Sequence, residues 1–451
     1  MSQKVTKEEL LAKAKKPAKD AMKLHADYRG KMQTMLKCQV RNLGDFAIYY
    51  TPGVAEPCRA IQADESRINE LTNRGNTVAV VSDCTRVLGL GDIGPKAGYP
   101  VMEGKALLFK YLGGVDAVPI CLGTKNPDEI IQAVKWLEPS FAGINLEDIS
   151  SPKCFYILNQ LREKAAIPVW HDDAQGTSAV VLAGILNALK LTGKTLDKVT
   201  IAQLGIGSAG ATVIRILIKA GVPAGNIRVV DLVNSESTVL TNDLDLEKLF
   251  PYRGEMLSKT NADKTKGGIP EALKGADVMI SFTRPGPGIV KPEWVKGMAK
   301  DAIVFAMANP IPEIWPWEAK EAGAKIVATG RSDFPNQVNN SLGFPAIFRG
   351  VLDVQATTIT DEMCLTAARS LAEYAEKRGI NEDDIVPRMD EKGAFVEEAV
   401  AVGMKAQEQG IAKLKVSADE LRRKAETMIA SAQGQVDALV KGGFIAEAVT
   451  D

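Results

Sequence analysis

Two pairs of adjacent carboxylates carry the strongest chemical signal in this chain: Glu147 and Asp148 at the end of FAGINLED, and Asp172 and Asp173 at the end of IPVWHDD. Each pair closes a short apolar run of the kind that forms a buried parallel strand. In a parallel sheet the carboxyl ends of the strands gather at one edge, where ligands bind, so the two pairs can converge there. Carboxylates at contact distance repel one another unless a cation sits among them, and an all-oxygen donor set favours Mg²⁺ or Mn²⁺ over zinc. The plainer alternative is a pair of solvated acidic turns that cap the following helices, for which ISSPK and AQGTS are suitable sequences.

Lys105 is the second signal. On a helical wheel of PVMEGKALLFKYL it falls inside the apolar arc of Met102, Ala106, Leu108, Phe109 and Leu112, with Lys110 at the edge. Desolvation there is expected to lower its pKa and make it a proton acceptor near neutral pH. The ordinary alternative is a lysine whose stem lines the core while its amine reaches water. His25 and His171 are too isolated for a histidine-based site. The six cysteines are scattered without a CxxC pair, which excludes a thiolate zinc site and points to reduced thiols in a cytosolic protein.

The third signal is VTIAQLGIGSAGATVIRILIKAG, which sets Gly205, Gly207 and Gly210 in G-x-G-x-x-G spacing between a β-branched strand and an apolar helix. Gly205 allows the tight turn, Gly207 lets a pyrophosphate approach the backbone, and Gly210 brings helix and strand together. Ser208 and Ala209 then open the helix that faces the phosphates. Asp231 ends the next strand, IRVVD, about 20 residues further on, where it can accept from the adenosine ribose hydroxyls. No arginine follows it closely, so NAD is expected in preference to NADP. Residues 89–94 (GLGDIG) repeat the spacing, but Pro95 and Pro100 follow, and no helix N-terminus is expected there. These glycines are read instead as shaping a loop that presents Arg86 to a substrate. Gly98–Lys105 has the wrong spacing for a P-loop, and Ala106 replaces its Ser or Thr.

The elements that position these groups follow an α/β rhythm. TVAVVSD, VDAVPICLG, FAGINLED and IPVWHDD alternate with helical patterns in a first lobe; VTIAQLG, NIRVVDL, ADVMISF, AIVFAMANP and AKIVATG do so in a second. SAVVLAGILNALKLTG, apolar on every side, is predicted to be a buried helix joining them. Residues 1–36 read as one or two charged helices, residues 41–60 as a loop after a strand, and the chain beyond about 360 as helical. The expected division is an N-terminal substrate and metal domain (1–176), a doubly wound Rossmann-type dinucleotide domain (177–360) and a helical C-terminal segment (361–451). With 55 basic against 56 acidic side chains in 451 residues there is no electrostatic footprint for nucleic acid or an anionic membrane, and no spanning or leader segment is read, so a small-molecule substrate is expected.

Taken together, YYTPGVAEPC, RVLGLGDIG followed by PVMEGKALLFK, NLEDI, IPVWHDDAQGT, the glycine fingerprint, FAMANP and ATGRSDFPNQVNNSLGFPAIFRG resemble, in order, the malic enzymes of the shorter prokaryotic type. The resemblance covers residues 20–380. Ala174 and Gln175 depart mildly from the pattern, and DLVNSES has no assigned counterpart. It implies oxidation of L-malate with NAD or NADP and Mg²⁺ or Mn²⁺, then decarboxylation to pyruvate and CO₂, by a homodimer. On that basis Glu147, Asp148 and Asp173 are the metal ligands, Lys105 the general base tuned by Asp172, and Tyr50 the acid that protonates C3 of enolpyruvate. Arg86 grips a malate carboxylate, and Asn309, Asn339 and Asn340 provide neutral hydrogen bonds, with Asn309 also on the cofactor side. Two alternatives remain: a malolactic enzyme that keeps its NAD and releases lactate, and a dinucleotide-binding regulatory protein without catalysis. The intact acidic set, Lys105 and Tyr50 weigh against the second.

Overall fold

The computed structural model describes residue 17 and residues 20–448. Four parallel strands, β1 (Thr77–Ser82), β2 (Asp116–Cys121), β3 (Gly143–Leu146) and β4 (Val169–His171), form a first sheet in the order β2-β1-β3-β4. Side chains alternate across it: Val78 and Val80 join one core, Ala79 and Val81 the other, so both faces are covered and β1 is apolar between its terminal Thr77 and Ser82. Leu146 pairs with His171. Glu147 and Asp172 therefore begin two neighbouring turns at the same sheet edge.

The second sheet has six strands in the order β10-β9-β8-β5-β6-β7. They are β5 (Ile201–Leu204), β6 (Ile227–Val233), β7 (Glu236–Val239), β8 (Val278–Ser281), β9 (Ala302–Ala306) and β10 (Ala324–Thr329). All run parallel except β7, which pairs antiparallel with β6. The nine apolar runs read as strands in the sequence are strands here. The tenth, β7, lies in DLVNSES, where Asn234 (φ 50) and Ser235 (φ 69) take the left-handed conformation of a two-residue hairpin turn.

Helix Thr177–Thr192 joins the lobes and is buried on nearly every side. The stretch Asp172–Thr192 is long and apolar enough to cross a membrane, but 78% of its 18-residue apolar window lies inside the protein. Its Asn187 donates to the Ala372 and Ile385 carbonyls at 3.0 and 2.8 Å, tying it to the C-terminal helices. Those helices (Phe344–Asp353, Asp361–Arg378, Lys392–Glu408 and Ala418–Lys441) return to the first lobe. Phe344 and Phe348 pack on Phe109 with ring centroids 4.6 and 5.2 Å apart. Gln433 donates to the Tyr111 carbonyl at 3.0 Å.

Two expectations are corrected. Residues 41–60 are not a loop after a strand: helices Leu43–Tyr49 and Ala55–Ala63 flank a short turn, and Asn42 caps the first by accepting from Gly44 N at 2.8 Å. A helix does follow GLGDIG, because proline is compatible with a first helical turn, where its missing N–H has no partner to lose. It runs Gly94–Gly113 with Pro95 in that turn and Pro100 inside it, and it carries Lys105. Of the charged N-terminal segment, residues 20–28 are helical; most of the stretch before them lies outside the described residues.

Candidate active site

The carboxyl edges of the two sheets face each other across a cleft of about 370 Å³. The first lobe lines it with Arg86, Lys105, Glu147, Asp148 and Asp173, and the second with Gly207, Ser208, Ala209, Gly210, Asn309, Asn339 and Asn340. Gly89, in the loop after Arg86, keeps the lobes close: a Cβ there would meet Pro285 Cγ at 2.7 Å and the Asn309 carbonyl at 2.8 Å.

Glu147, Asp148 and Asp173 each offer a carboxylate oxygen, all within 4.8 Å of one another. The turn after β3 brings them together. Asp148 adopts φ 52, and its N–H donates to Asp173 Oδ2 at 2.8 Å. Asn145, two residues before Glu147 on the same side of β3, donates to Glu147 Oε2 at 2.8 Å and orients it. Asp148 Oδ2 is buried with no hydrogen-bond partner. Burial pushes the Asp148 carboxyl up to about 8, reinforced by Asp173, and raises Glu147 well above its usual range. A buried, mutually repelling, partly unpartnered oxygen set is what a divalent cation would satisfy, so the residues fit Mg²⁺ or Mn²⁺.

Lys105 Nζ lies 2.5 Å from Asp172 Oδ2 and 3.0 Å from Glu147 Oε1, over the Phe344 ring at 4.7 Å. The expected lowering of its pKa is corrected. Burial does favour the neutral amine, but the charges of Asp172, Glu147 and Asp173 outweigh it and hold Lys105 above its ordinary value. The wheel showed the apolar arc; it could not show acids arriving from two other strands.

Across the cleft the glycine turn has the geometry its spacing predicts. Gly205 takes φ 82, and a Cβ on Gly210 would meet the Gly205 carbonyl at 2.0 Å, whereas one on Gly207 would meet nothing within 4 Å. Helix Ser208–Ala220 starts there with no side-chain cap, leaving its first amides for an anion. Asp231 lies within β6 rather than at its end. Its carboxylate accepts from Ile206 N at 2.7 Å and Leu232 N at 2.6 Å. Gly205 and Asp231 thus stand behind the cleft wall.

Residues 29–162 match the family model for the malic enzyme N-terminal domain, and residues 174–408 that for the malic enzyme NAD binding domain. The chain belongs to the malic enzyme family. It is 44% identical over 409 residues to the bifunctional malic/malolactic enzyme of Bacillus subtilis, covering 91% of this chain and 98% of that one. It is 51% identical over 358 residues to the NAD-dependent malic enzyme of Geobacillus stearothermophilus, covering 79% and 73%. The structure of the malic enzyme from Pyrococcus horikoshii aligns with a TM-score of 0.90 at 52% identity, covering 94% of this chain and 99% of that one. As a member of the family the chain is an NAD(P)-dependent oxidoreductase.

Three residues expected in the malic enzyme site are placed differently from the rest. Tyr50 is 72% exposed and does not line the cleft of its own chain. Asp172 is fully buried behind Lys105 as its ion-pair partner. Asn339 spends both ends of its amide on the backbone, donating to the Gly330 carbonyl and accepting from Ser341 N, each at 3.0 Å. Sequence reasoning missed Asn145, Ser151 and Thr283, the last two of which line the cleft. Strand alternation from Glu147 identifies Asn145; the other two lie in irregular turns and carry no such signal.

Proposed function

We propose that this cleft oxidises L-malate and decarboxylates the product to pyruvate and CO₂, with NAD or NADP as hydride acceptor and Mg²⁺ or Mn²⁺ held by Glu147, Asp148 and Asp173. The observation that carries this reading is the position of Lys105 Nζ, between Glu147 and Asp172 at the rim of the three-carboxylate cluster, on a cleft whose far wall is the glycine turn. A divalent cation held there would supply Lewis-acid chemistry and would offset the acidic charge that keeps Lys105 protonated. Lys105 then takes the C2 hydroxyl proton as hydride leaves, and Asp172, at 2.5 Å, steadies the resulting ammonium. Arg86 grips a carboxylate of the substrate; its N–H is fixed by the Asp148 carbonyl at 3.0 Å, which keeps its backbone beside the metal ligands. Asn309 and Asn340 complete the contacts to the diacid.

Protonation of C3 is assigned to Tyr50, supplied by a second copy of the chain. Its own cleft does not include it, and the helix that precedes it exposes Leu43, Phe46 and Ile48, an apolar face suited to a homodimer contact. Mixing and reassociating inactive Tyr50→Phe and Lys105→Ala subunits then restores about a quarter of native activity, because half the dimers are mixed and each holds a single intact site. A tyrosine acting within its own chain restores none.

The bifunctional Bacillus subtilis relative favours a second reading, in which the hydride returns to pyruvate and lactate leaves. Incubation with L-malate, Mn²⁺ and either dinucleotide separates the two. Free pyruvate with stoichiometric reduced dinucleotide supports the first, lactate without net reduction the second, and no consumption of malate contradicts both.

A further inference from the structure

The two peptide groups that meet at Ile206, in the middle of the G-x-G turn, are each held by a side chain. Asp231 Oδ2 accepts the Ile206 N–H at 2.7 Å, and Arg253 Nη1 donates to the Ile206 carbonyl at 2.6 Å. The same Arg253 nitrogen reaches Ser151 Oγ of the first lobe at 3.2 Å, three residues beyond Asp148. Arg253 is 8% exposed, and its guanidinium lies against the rings of Phe155 and Phe250 at 5.1 and 5.7 Å. Nothing in the sequence near Asp231 announces this cation, which comes from a later loop and folds back beneath the turn.

A trans peptide points its C=O and N–H in opposite directions. With the Ile206 carbonyl drawn inward to Arg253, the Gly207 N–H turns outward, toward the cleft that Gly207, Ser208 and Ala209 line. We infer that Arg253 is a positioning residue for the dinucleotide: it sets the orientation of the 206–207 peptide so that the pyrophosphate meets preformed donors, and through Ser151 it fixes that turn against the loop carrying the metal ligands. A charge-assisted hydrogen bond to a buried carbonyl is strong enough to hold one peptide orientation over the flipped one. This inference rests on the second lobe as the dinucleotide site and is independent of which acid is oxidised.

The test is NADH binding by fluorescence, without malate, on the full-length protein. Arg253→Met is expected to weaken NADH by about tenfold or more, with Mn²⁺ affinity unchanged. Arg253→Lys keeps one donor for the Ile206 carbonyl but not the bridge to Ser151, and is expected to weaken NADH by only about threefold. In turnover the dinucleotide KM rises while kcat at saturating cofactor stays within about twofold of native. Native-like NADH affinity in Arg253→Met overturns the inference. So does joint loss of NADH and Mn²⁺ binding that Arg253→Lys fails to recover, because that pattern marks a purely structural residue. If Arg253→Met does not fold, Arg253→Lys decides alone: weakened NADH binding with native Mn²⁺ affinity supports the inference, and native NADH binding contradicts it. NADH binding that depends on Arg253 in a protein that leaves malate untouched would uphold the inference and sink the malate reading.

Discussion

The two sheets present opposite chemistry at the same edge. Where the first sheet ends, side-chain carboxylates crowd together with Lys105 as their only close cation among the described residues. Where the second ends, backbone amides at a helix start face open space. In the function proposed above, a divalent cation would complete the acidic half of one cleft and a dinucleotide pyrophosphate the other. The difference also concerns rigidity. The acidic edge is held by side chains from the turns after two strands and from a helix, and the glycine edge by close backbone contacts that tolerate no added carbon at Gly205 or Gly210.

Removing Lys105, the proton carrier proposed above, is expected to break the comparison on the acidic side most severely. Lys105→Met is expected to lower malate turnover by about a hundred- to ten-thousandfold. Mn²⁺ should bind no more weakly, because a competing cation has gone; loss of Mn²⁺ along with turnover would make Lys105 a structural prop. On the opposite edge, Gly210→Ala forces a methyl group to within 2.0 Å of the Gly205 carbonyl. Dinucleotide affinity should fall by about tenfold or more while Mn²⁺ binding persists, and equal loss of both would show that the edges are not separable.

The smallest effect concerns pH. Asp148 is pushed up to about 8, so without metal the folded chain binds a proton there more tightly than the unfolded chain does. Stability contributed by that proton is complete at low pH and is lost as pH rises toward 8, so the metal-free Tm should fall across that window. Mn²⁺ reverses the trend by replacing the proton, and its stabilising shift should be larger at about pH 8 than at about pH 5.5. A metal shift that does not change with pH would mean that Asp148 is not among the groups the cation contacts.

Much of this was legible in the sequence, for physical reasons that differ by element. The strands could be read because parallel strands covered on both faces are short apolar runs, and the glycine turn because sterics permit few residues at 205 and 210. The hairpin to β7 was hidden because Asn234 and Ser235 take left-handed conformations without a glycine to signal them. The helix Leu43–Tyr49 was hidden by the Pro-Gly turn that follows it, although Asn42 was there to cap it. Charges that act over tertiary distance were not legible in local spacing: the acids that keep Lys105 protonated come from the turns after β3 and β4, and only the family resemblance joined Asp172 to Lys105, while Arg253 reaches the glycine turn from a loop beyond β7. Tyr50 illustrates the remaining gap, since a role implied by family resemblance does not say which chain's cleft the residue serves.

The central claim is that a divalent cation completes the cluster of Glu147, Asp148 and Asp173. Titration of Mn²⁺ by electron paramagnetic resonance, comparing the native chain with Asp173→Ala, tests it most directly. The account predicts one bound ion per native chain, and its loss in the variant while NADH still binds. Native-strength Mn²⁺ binding by Asp173→Ala, or no bound ion in the native chain, would contradict it.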